Sequence, residues 1–174
     1  MTVRWNDLFS DLEGQFASAE NAGFEAEGAE LAIAERASVD LAARLRAAVG
    51  TPDTVTLHLA GAGVVRGVVT DATPSWVLLQ DGAREHLVPV AAIAAASPIP
   101  QRSLPWGEVE GRLTLGHALR ALAESGAAVI VETTGGEFRG RVASVGSDHV
   151  DVRPGPQVAA VVVPFGALRR VTSA

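Results

Sequence analysis

The chain has 174 residues, of which 48% carry apolar and 20% carry charged side chains, and its formal net charge is −6. This composition excludes a disordered chain, and the length suits one domain or two very small ones. The absence of cysteine excludes disulfides, thiolate metal sites and cysteine nucleophiles. An isoelectric point near 5.2 argues against a dedicated nucleic-acid-binding protein, whose domain is usually strongly basic.

We expect neither a secretion signal nor a membrane-spanning segment in this sequence. Asp7 lies where a signal peptide needs an apolar run, and the longest uncharged stretch, residues 86–101, contains three prolines. A membrane-spanning helix needs about 20 predominantly apolar residues in a row. We therefore expect a cytoplasmic protein with no membrane partner.

Residues 1–36 are predicted to form a helical arm. One helix is predicted from about residue 4 to about residue 19. A second helix is predicted from Ala29 to Val49, and Gly50 is a suitable stop signal. The two helices either cover their own domain or form an arm that binds a partner through an apolar stripe. The stripe has the spacing of one helix face between residues 4 and 19 and consists of Trp5, Leu8, Phe9, Leu12 and Phe16.

The most informative feature of the sequence is an internal repeat. Residues 56–79 align without a gap onto residues 129–152. After two extra residues in the second copy, residues 88–93 align onto residues 163–168. A single supersecondary unit is therefore predicted to occur twice along the chain.

Each copy contains closely spaced strand patterns joined by short turns, which are typical of a small barrel. A helix is predicted before each set of strands, over residues 41–49 and 115–125. The predicted strands are residues 55–59, 64–70, 76–79 and 85–90 in the first copy, and 129–132, 138–145, 149–152 and 158–163 in the second.

The predicted fold class is α+β, with the helical arm followed by two tandem helix-plus-small-β-barrel repeats. A barrel of about fifty residues buries little apolar surface, so we expect the two barrels to pack together or the chain to oligomerise. The predicted domains are the arm (1–36), the first helix and barrel (37–97), a proline-containing linker (98–113), and the second helix and barrel (114–174).

A framework of glycine and hydrophobic positions recurs in both copies: Gly67-x-Val69-x-x-Ala72-x-x-x-Trp76-x-x-Leu79, and Gly140-x-Val142-x-x-Val145-x-x-x-His149-x-x-Val152. This framework resembles that of the Sm-like and Hfq-like small-barrel superfamily. The resemblance implies a strongly bent five-stranded barrel with an N-terminal helix, used here in tandem. The opening residues 4–13 are also similar to an uncharacterised family of actinobacterial proteins, which implies a source but no activity.

The RNA-binding residues of that superfamily are missing from both copies. Sm proteins bind uridine-rich RNA through an Asp and an Asn, and the matching positions here hold Thr73 and Val77, then Gly146 and Val150. The Lys-His step of Hfq-type proteins is also replaced in both copies. The resemblance therefore implies the barrel without the known RNA pocket.

All fourteen basic residues are arginines, and six of them mark a candidate anion or nucleic-acid surface. Arg139 and Arg141 are two residues apart, so in a strand they share one face and can grip a phosphate or a carboxylate. Two alternatives are that such arginines pair with nearby acids or with the other repeat, and that they bind an acidic segment of a protein partner. The six are Arg66, Arg139, Arg141, Arg153, Arg169 and Arg170.

No catalytic, cofactor-binding or metal site is predicted. Gly61-x-Gly63 precedes a β-branched run of strand type, whereas the glycines of a dinucleotide fingerprint open a helix. The densest cluster of metal-ligand types, residues 148–151, fits either a metal pair or a surface ion pair. A catalytic cleft between the two barrels is the remaining enzymatic possibility.

These patterns favour a non-enzymatic cytosolic interaction or scaffold protein that binds a protein partner or assembles with further copies of itself, as a dimer through exposed strand edges or through the arm. The alternative is a divergent RNA- or DNA-binding or transcription-regulatory protein that uses the arginine surface of the second barrel. The acidic balance of the chain disfavours this alternative. The salt dependence of binding separates the two, because phosphate contacts release counterions and weaken steeply as salt rises.

Overall fold

The computed structural model describes residues 39–174, apart from the side chain of Glu110. The predicted arm and its apolar stripe from Trp5 to Phe16 lie outside the described residues. Within the described range the chain forms two α-helices, α1 (Leu41–Arg46) and α2 (Leu115–Ser125), and ten strands. The strands are β1 (Thr54–Leu59), β2 (Val64–Ala72), β3 (Trp76–Asp81), β4 (Arg84–Pro89), β5 (Ile93–Ser97), β6 (Ala128–Thr133), β7 (Gly136–Val145), β8 (His149–Arg153), β9 (Val161–Pro164) and β10 (Leu168–Ser173).

All ten of these strands belong to one antiparallel sheet, in the order β5-β1-β2-β3-β4-β10-β6-β7-β8-β9. The first five strands form a meander whose last strand, β5, folds back beside β1. The last five do the same, since β10 folds back beside β6. The two sets of strands join where β4 pairs with β10, and we call this junction the seam.

The seam is short and is reinforced by side chains. Leu87 on β4 lies opposite Val171 on β10, and His86 lies opposite Thr172. His86 Nδ1 and Thr172 Oγ1 are 3.0 Å apart and hydrogen-bonded, and both side chains are buried. The backbone N–H of Glu85 donates to the hydroxyl of Ser173 at 2.9 Å. β4 and β10 therefore each provide hydrogen-bond partners for polar groups of the other strand.

The predicted α+β class with two tandem helix-plus-barrel repeats is wrong. The described residues form a mostly β structure, in which one continuous ten-stranded sheet carries helices of only six and eleven residues. The alternation of apolar and polar residues identifies a strand and its buried face, but it does not identify the strand that an edge will pair with. The pairing of β4 with β10 uses edges that separate barrels would have left open.

The two helices begin and end for identifiable reasons. Asp40 is extended, and its carboxylate accepts a hydrogen bond from the N–H of Ala43 at 2.6 Å, so α1 begins at Leu41. The prediction of one helix from residue 29 to residue 49 is therefore wrong at Asp40. The prediction for α2 is confirmed at both ends, where Thr114 precedes the helix and Gly126, with a left-handed φ of 64°, ends it. Neither described helix has the length and apolar character needed to cross a bilayer.

The buried apolar side chains form two clusters. One includes Leu45 of α1 and residues of β1 to β4. The other centres on Leu119 of α2 and on the last five strands, and Trp76 and Leu87 from β3 and β4 pack within it. Side chains of β3 and β4 therefore belong to a core cluster whose other members come from α2 and the last five strands. Each half of the sheet thus contributes to the stability of the other.

Candidate functional site

Three of the six predicted surface arginines are held by other groups of the protein. Arg139 Nε donates to Glu137 Oε1 on the same strand at 2.9 Å. Arg170 Nη2 lies 2.6 Å from Glu132 Oε2, and both side chains are mostly buried. Arg169 donates to three backbone carbonyl oxygens, the nearest at 2.7 Å. Pairing within the protein accounts for the positions of these three cations.

The other three arginines have no hydrogen-bond or ion-pair partner among residues 39–174. Arg141 on β7 lies directly opposite Arg153 on β8, and both are exposed. Arg66 on β2 lies opposite Thr56, and four strands separate β2 from β7 in the sheet. The structure thus brings Arg141 and Arg153 together and leaves Arg66 apart.

An apolar groove of about 580 Å³ lies between α2 and the strands at the seam, and we call it the seam groove. Its walls include Ala118 and Leu122 of α2, Leu87 of β4 and Val171 of β10. Trp76 also lines the groove, and its indole N–H is buried without an acceptor in the described part of the chain. The groove has the size and the apolar lining of a ligand or side-chain pocket.

The two outer strands of the sheet, β5 and β9, are short and carry no charged side chain. Their sequences are Ile-Ala-Ala-Ala-Ser and Val-Val-Val-Pro. Val162, on β9, is 60% exposed, and Val158 just before the strand is 54% exposed. Exposed edges of soluble sheets are usually protected by charges, by proline or by a covering segment. Here Pro164, the last residue of β9, is the only such feature within the two described strands.

The predicted cluster at residues 148–151 separates into two exposed pairs. His149 Nδ1 is hydrogen-bonded to Asp148 Oδ1 at 2.8 Å, and this bond lowers the pKa of the Asp148 carboxyl below its usual value. Asp151 instead accepts a hydrogen bond from the Ser144 hydroxyl. No group of three or more potential metal ligands occurs in the part of the chain that the structure describes. His149 thus contacts Asp148 rather than Asp151, the residue with which its spacing predicted a shared strand face.

His86 at the seam is expected to make stability depend on pH. Burial lowers the pKa of its imidazole below the ordinary 6.5, the Arg170 and Arg84 guanidinium groups lower it further, and Asp81 opposes them. The unfolded chain therefore binds more protons than the folded chain between the folded pKa and about 6.5, so stability falls as the pH drops through this window. Urea unfolding at several pH values between about 5 and 8 measures the effect.

In the His86→Gln variant this part of the pH dependence should disappear. The exposed His58→Gln variant controls for the loss of one imidazole elsewhere on the sheet. An unchanged pH profile in His86→Gln would show that protonation of the seam histidine does not oppose folding.

The sequence predicts contact between the two repeats and exposed strand edges, but it does not identify which strands form the seam and the edges, nor does it indicate the seam groove. The uncharged valines before and within β9 were no signal for an edge, since an edge strand normally carries a charge. The predicted strand pattern gave no signal for the seam, because its residues are distant in sequence. The resemblance to the Sm-like and Hfq-like superfamily stays a prediction. Compared with models of known protein families and with curated proteins, the chain matches none.

Proposed function

We propose that this chain is a non-enzymatic cytosolic interaction and scaffold protein that assembles with further copies of itself by continuing its β-sheet. In this assembly β9 of one copy pairs with β5 of the next. The proposal rests on the pair of uncharged outer strands, each of which has a paired strand on one side only among residues 39–174. Pairing with another copy removes both bare edges.

The observed pairing of β4 with β10 indicates the register of this contact. In the alignment of the two copies, Val162 on β9 corresponds to Leu87 on β4, and Ala96 on β5 corresponds to Val171 on β10. Leu87 and Val171 lie opposite each other at the seam and are 6% and 3% exposed. Val162 is 60% exposed, so it stands where its counterpart is buried by a pairing strand. The same register between copies places Val162 opposite Ala96.

The proposed contact joins two different surfaces, so it is head-to-tail. Such contacts close into a ring when the rotation between copies permits and otherwise continue as an open filament. The mass of the assembly in solution distinguishes these outcomes. A ring gives one defined mass, whereas a filament grows with protein concentration.

Engineered cysteines test the register directly, because the natural chain contains no cysteine. Residues directly opposite on antiparallel strands have Cα atoms about 4.5–5.5 Å apart, which a disulfide spans. The full-length chain with Ala96→Cys and Val162→Cys should form a ladder of covalent multimers under mild oxidation. Each single variant should not form the ladder, since a chain with one thiol links to one other chain at most. A double variant that stays monomeric on a non-reducing gel would contradict the proposed pairing.

A charge on the edge provides the second test. Val162→Lys should reduce the mass measured by light scattering to that of one chain, because strand addition would bury the ammonium group. Val109→Lys is the matched control, since Val109 is 70% exposed and lies outside the strands. The proposal fails if the natural chain is monomeric at all concentrations, or if both lysine variants have the same effect.

The alternative, a nucleic-acid-binding protein, receives less support. Residues 39–174 contain twelve acidic side chains and twelve arginines, so their formal net charge is zero. Three of the six candidate arginines are already paired within the protein. A long polyanion needs a continuous basic surface, because its affinity comes mainly from many phosphate contacts. The remaining arginines favour a smaller anion.

A further inference from the structure

We infer that Arg141 and Arg153 form a binding site for a small phosphate-bearing ligand. This site is separate from the proposed contact between copies, because that contact uses the outer strands β5 and β9, whereas β7 and β8 are inner strands of the sheet. The two arginines lie directly opposite each other on neighbouring strands, both are exposed, and neither has a partner among the described residues. Their arrangement is the observation on which the inference rests.

Like charges placed directly opposite on a sheet repel each other and destabilise the pair. The geometry of the sheet does not require two charged residues at this position. Gly67 on β2 closely approaches the backbone of Gln80, as Gly140 on β7 closely approaches that of Arg153. Beside Gly67 the opposed pair is Val68 and Gln80, which carries no charge. A sheet of this form therefore accepts an uncharged pair at such a position, and two arginines need another explanation.

An oxyanion bound between the two guanidinium groups explains why two arginines lie opposite each other. Each guanidinium presents several N–H donors in a planar fork, and charge-assisted hydrogen bonds to phosphate are among the strongest in proteins. Two cations match the charge of a phosphate monoester near neutral pH, which is about −1.5 to −2. The bound anion would replace a repulsion with two attractive contacts.

The surroundings of the pair leave room for the rest of such a ligand. A cavity of about 510 Å³ is lined by Arg141, Arg153 and the turn from Pro154 to Pro156. Its volume falls in the range of small-molecule sites, about 300–1,000 Å³. Of the acids on the same two strands, the Glu137 carboxylate is paired with Arg139, and the Asp151 carboxylate accepts a hydrogen bond from the Ser144 hydroxyl. Neither acid forms an ion pair with Arg141 or Arg153.

Titration of the full-length chain with phenyl phosphate, at constant ionic strength, tests the inference. Arg141→Gln and Arg153→Gln should each weaken binding by about tenfold or more, since each removes charge-assisted hydrogen bonds. Arg66→Gln is the matched control, because it removes the same charge from an exposed, unpartnered arginine on another part of the sheet. It should change the dissociation constant less than twofold.

A thermal measurement gives an independent readout. In chloride buffer Arg141→Gln should melt at or above the temperature of the natural chain, because the repulsion between arginines is gone. In phenyl phosphate the order should reverse, since only the natural chain gains stability from the ligand. The inference is overturned if phenyl phosphate does not bind, or if Arg66→Gln weakens binding as much as Arg141→Gln.

A short single-stranded oligonucleotide forms the second arm of the titration. We expect it to bind no more tightly than phenyl phosphate. Much tighter binding that is lost in Arg141→Gln and falls steeply with salt would overturn the small-ligand assignment in favour of nucleic acid.

Discussion

Replacing Trp76 with alanine is expected to lower the free energy of unfolding by about 3 kcal/mol, the lower end of the usual cost of removing a buried tryptophan. The side chain is 7% exposed and packs in the cluster beneath α2, although it belongs to β3 of the first set of strands. The cost lies at the lower end because the seam groove beside it is open to solvent. Urea unfolding followed by far-ultraviolet circular dichroism measures the change, since the signal does not depend on tryptophan fluorescence.

Trp106→Ala is the matched control for this experiment. Trp106 is only partly buried, and the Arg46 guanidinium carbon lies 5.4 Å from its ring centre. Losing an exposed cation–π contact costs about 0.5–1 kcal/mol. Equal losses for the two variants would contradict the role assigned to Trp76 in joining the halves of the core. Because the clusters share strands β3 and β4, both the natural chain and Trp76→Ala should unfold in a single transition.

Gly140→Ala is expected to destabilise the fold by about 2–3 kcal/mol, as overpacking in a tight site does. A Cβ atom at this position would overlap the backbone carbonyl of Arg153 and the nitrogen of Pro154. Backbone atoms of a neighbouring strand cannot rotate away as a flexible side chain can. β7 and β8 would therefore have to separate locally, with loss of hydrogen bonds between them. The midpoint of urea unfolding is the measurement.

Two further glycine variants calibrate this result. Gly166→Ala places its Cβ in open space, so its effect should stay within about 0.5 kcal/mol. Gly67→Ala should fall between the two, because the nearest atom to its Cβ, the carbonyl oxygen of Gln80, is 2.7 Å away. A different order would show that the approach of these strands does not limit the side chain at residue 140.

The local elements were largely predictable from sequence. Helix α2 was predicted at its observed bounds, because Thr114, the apolar spacing and Gly126 are all local signals. The strand patterns also predicted β1 to β4 and β6 to β8 within a few residues. The fit was poorer at β9, where the pattern began at Val158 and the strand begins at Val161. Exposed Val158 and the two alanines after it extend the apolar pattern ahead of Val161, where the pairing with β8 begins.

The candidate sites were predictable only in part. The spacing of Arg139 and Arg141 indicated a shared strand face, but Arg139 pairs with Glu137 while Arg141 faces Arg153. Residues 141 and 153 are brought together by the register of β7 with β8, which depends on the intervening turn and on a bulge between Val142 and Ser144. Sequence spacing alone does not supply that register.

The local elements, the absence of cysteine chemistry and the uncharged character of the outer strands all follow from the order of the amino acids. The pairing of edges became known only from the fold, in which β4 meets β10, His86 meets Thr172 and Trp76 packs in the cluster beneath α2. These two kinds of feature differ in the sequence separation of the residues that determine them. Strand and helix patterns follow from neighbouring residues, whereas the choice of a pairing edge compares free energies between segments more than eighty residues apart.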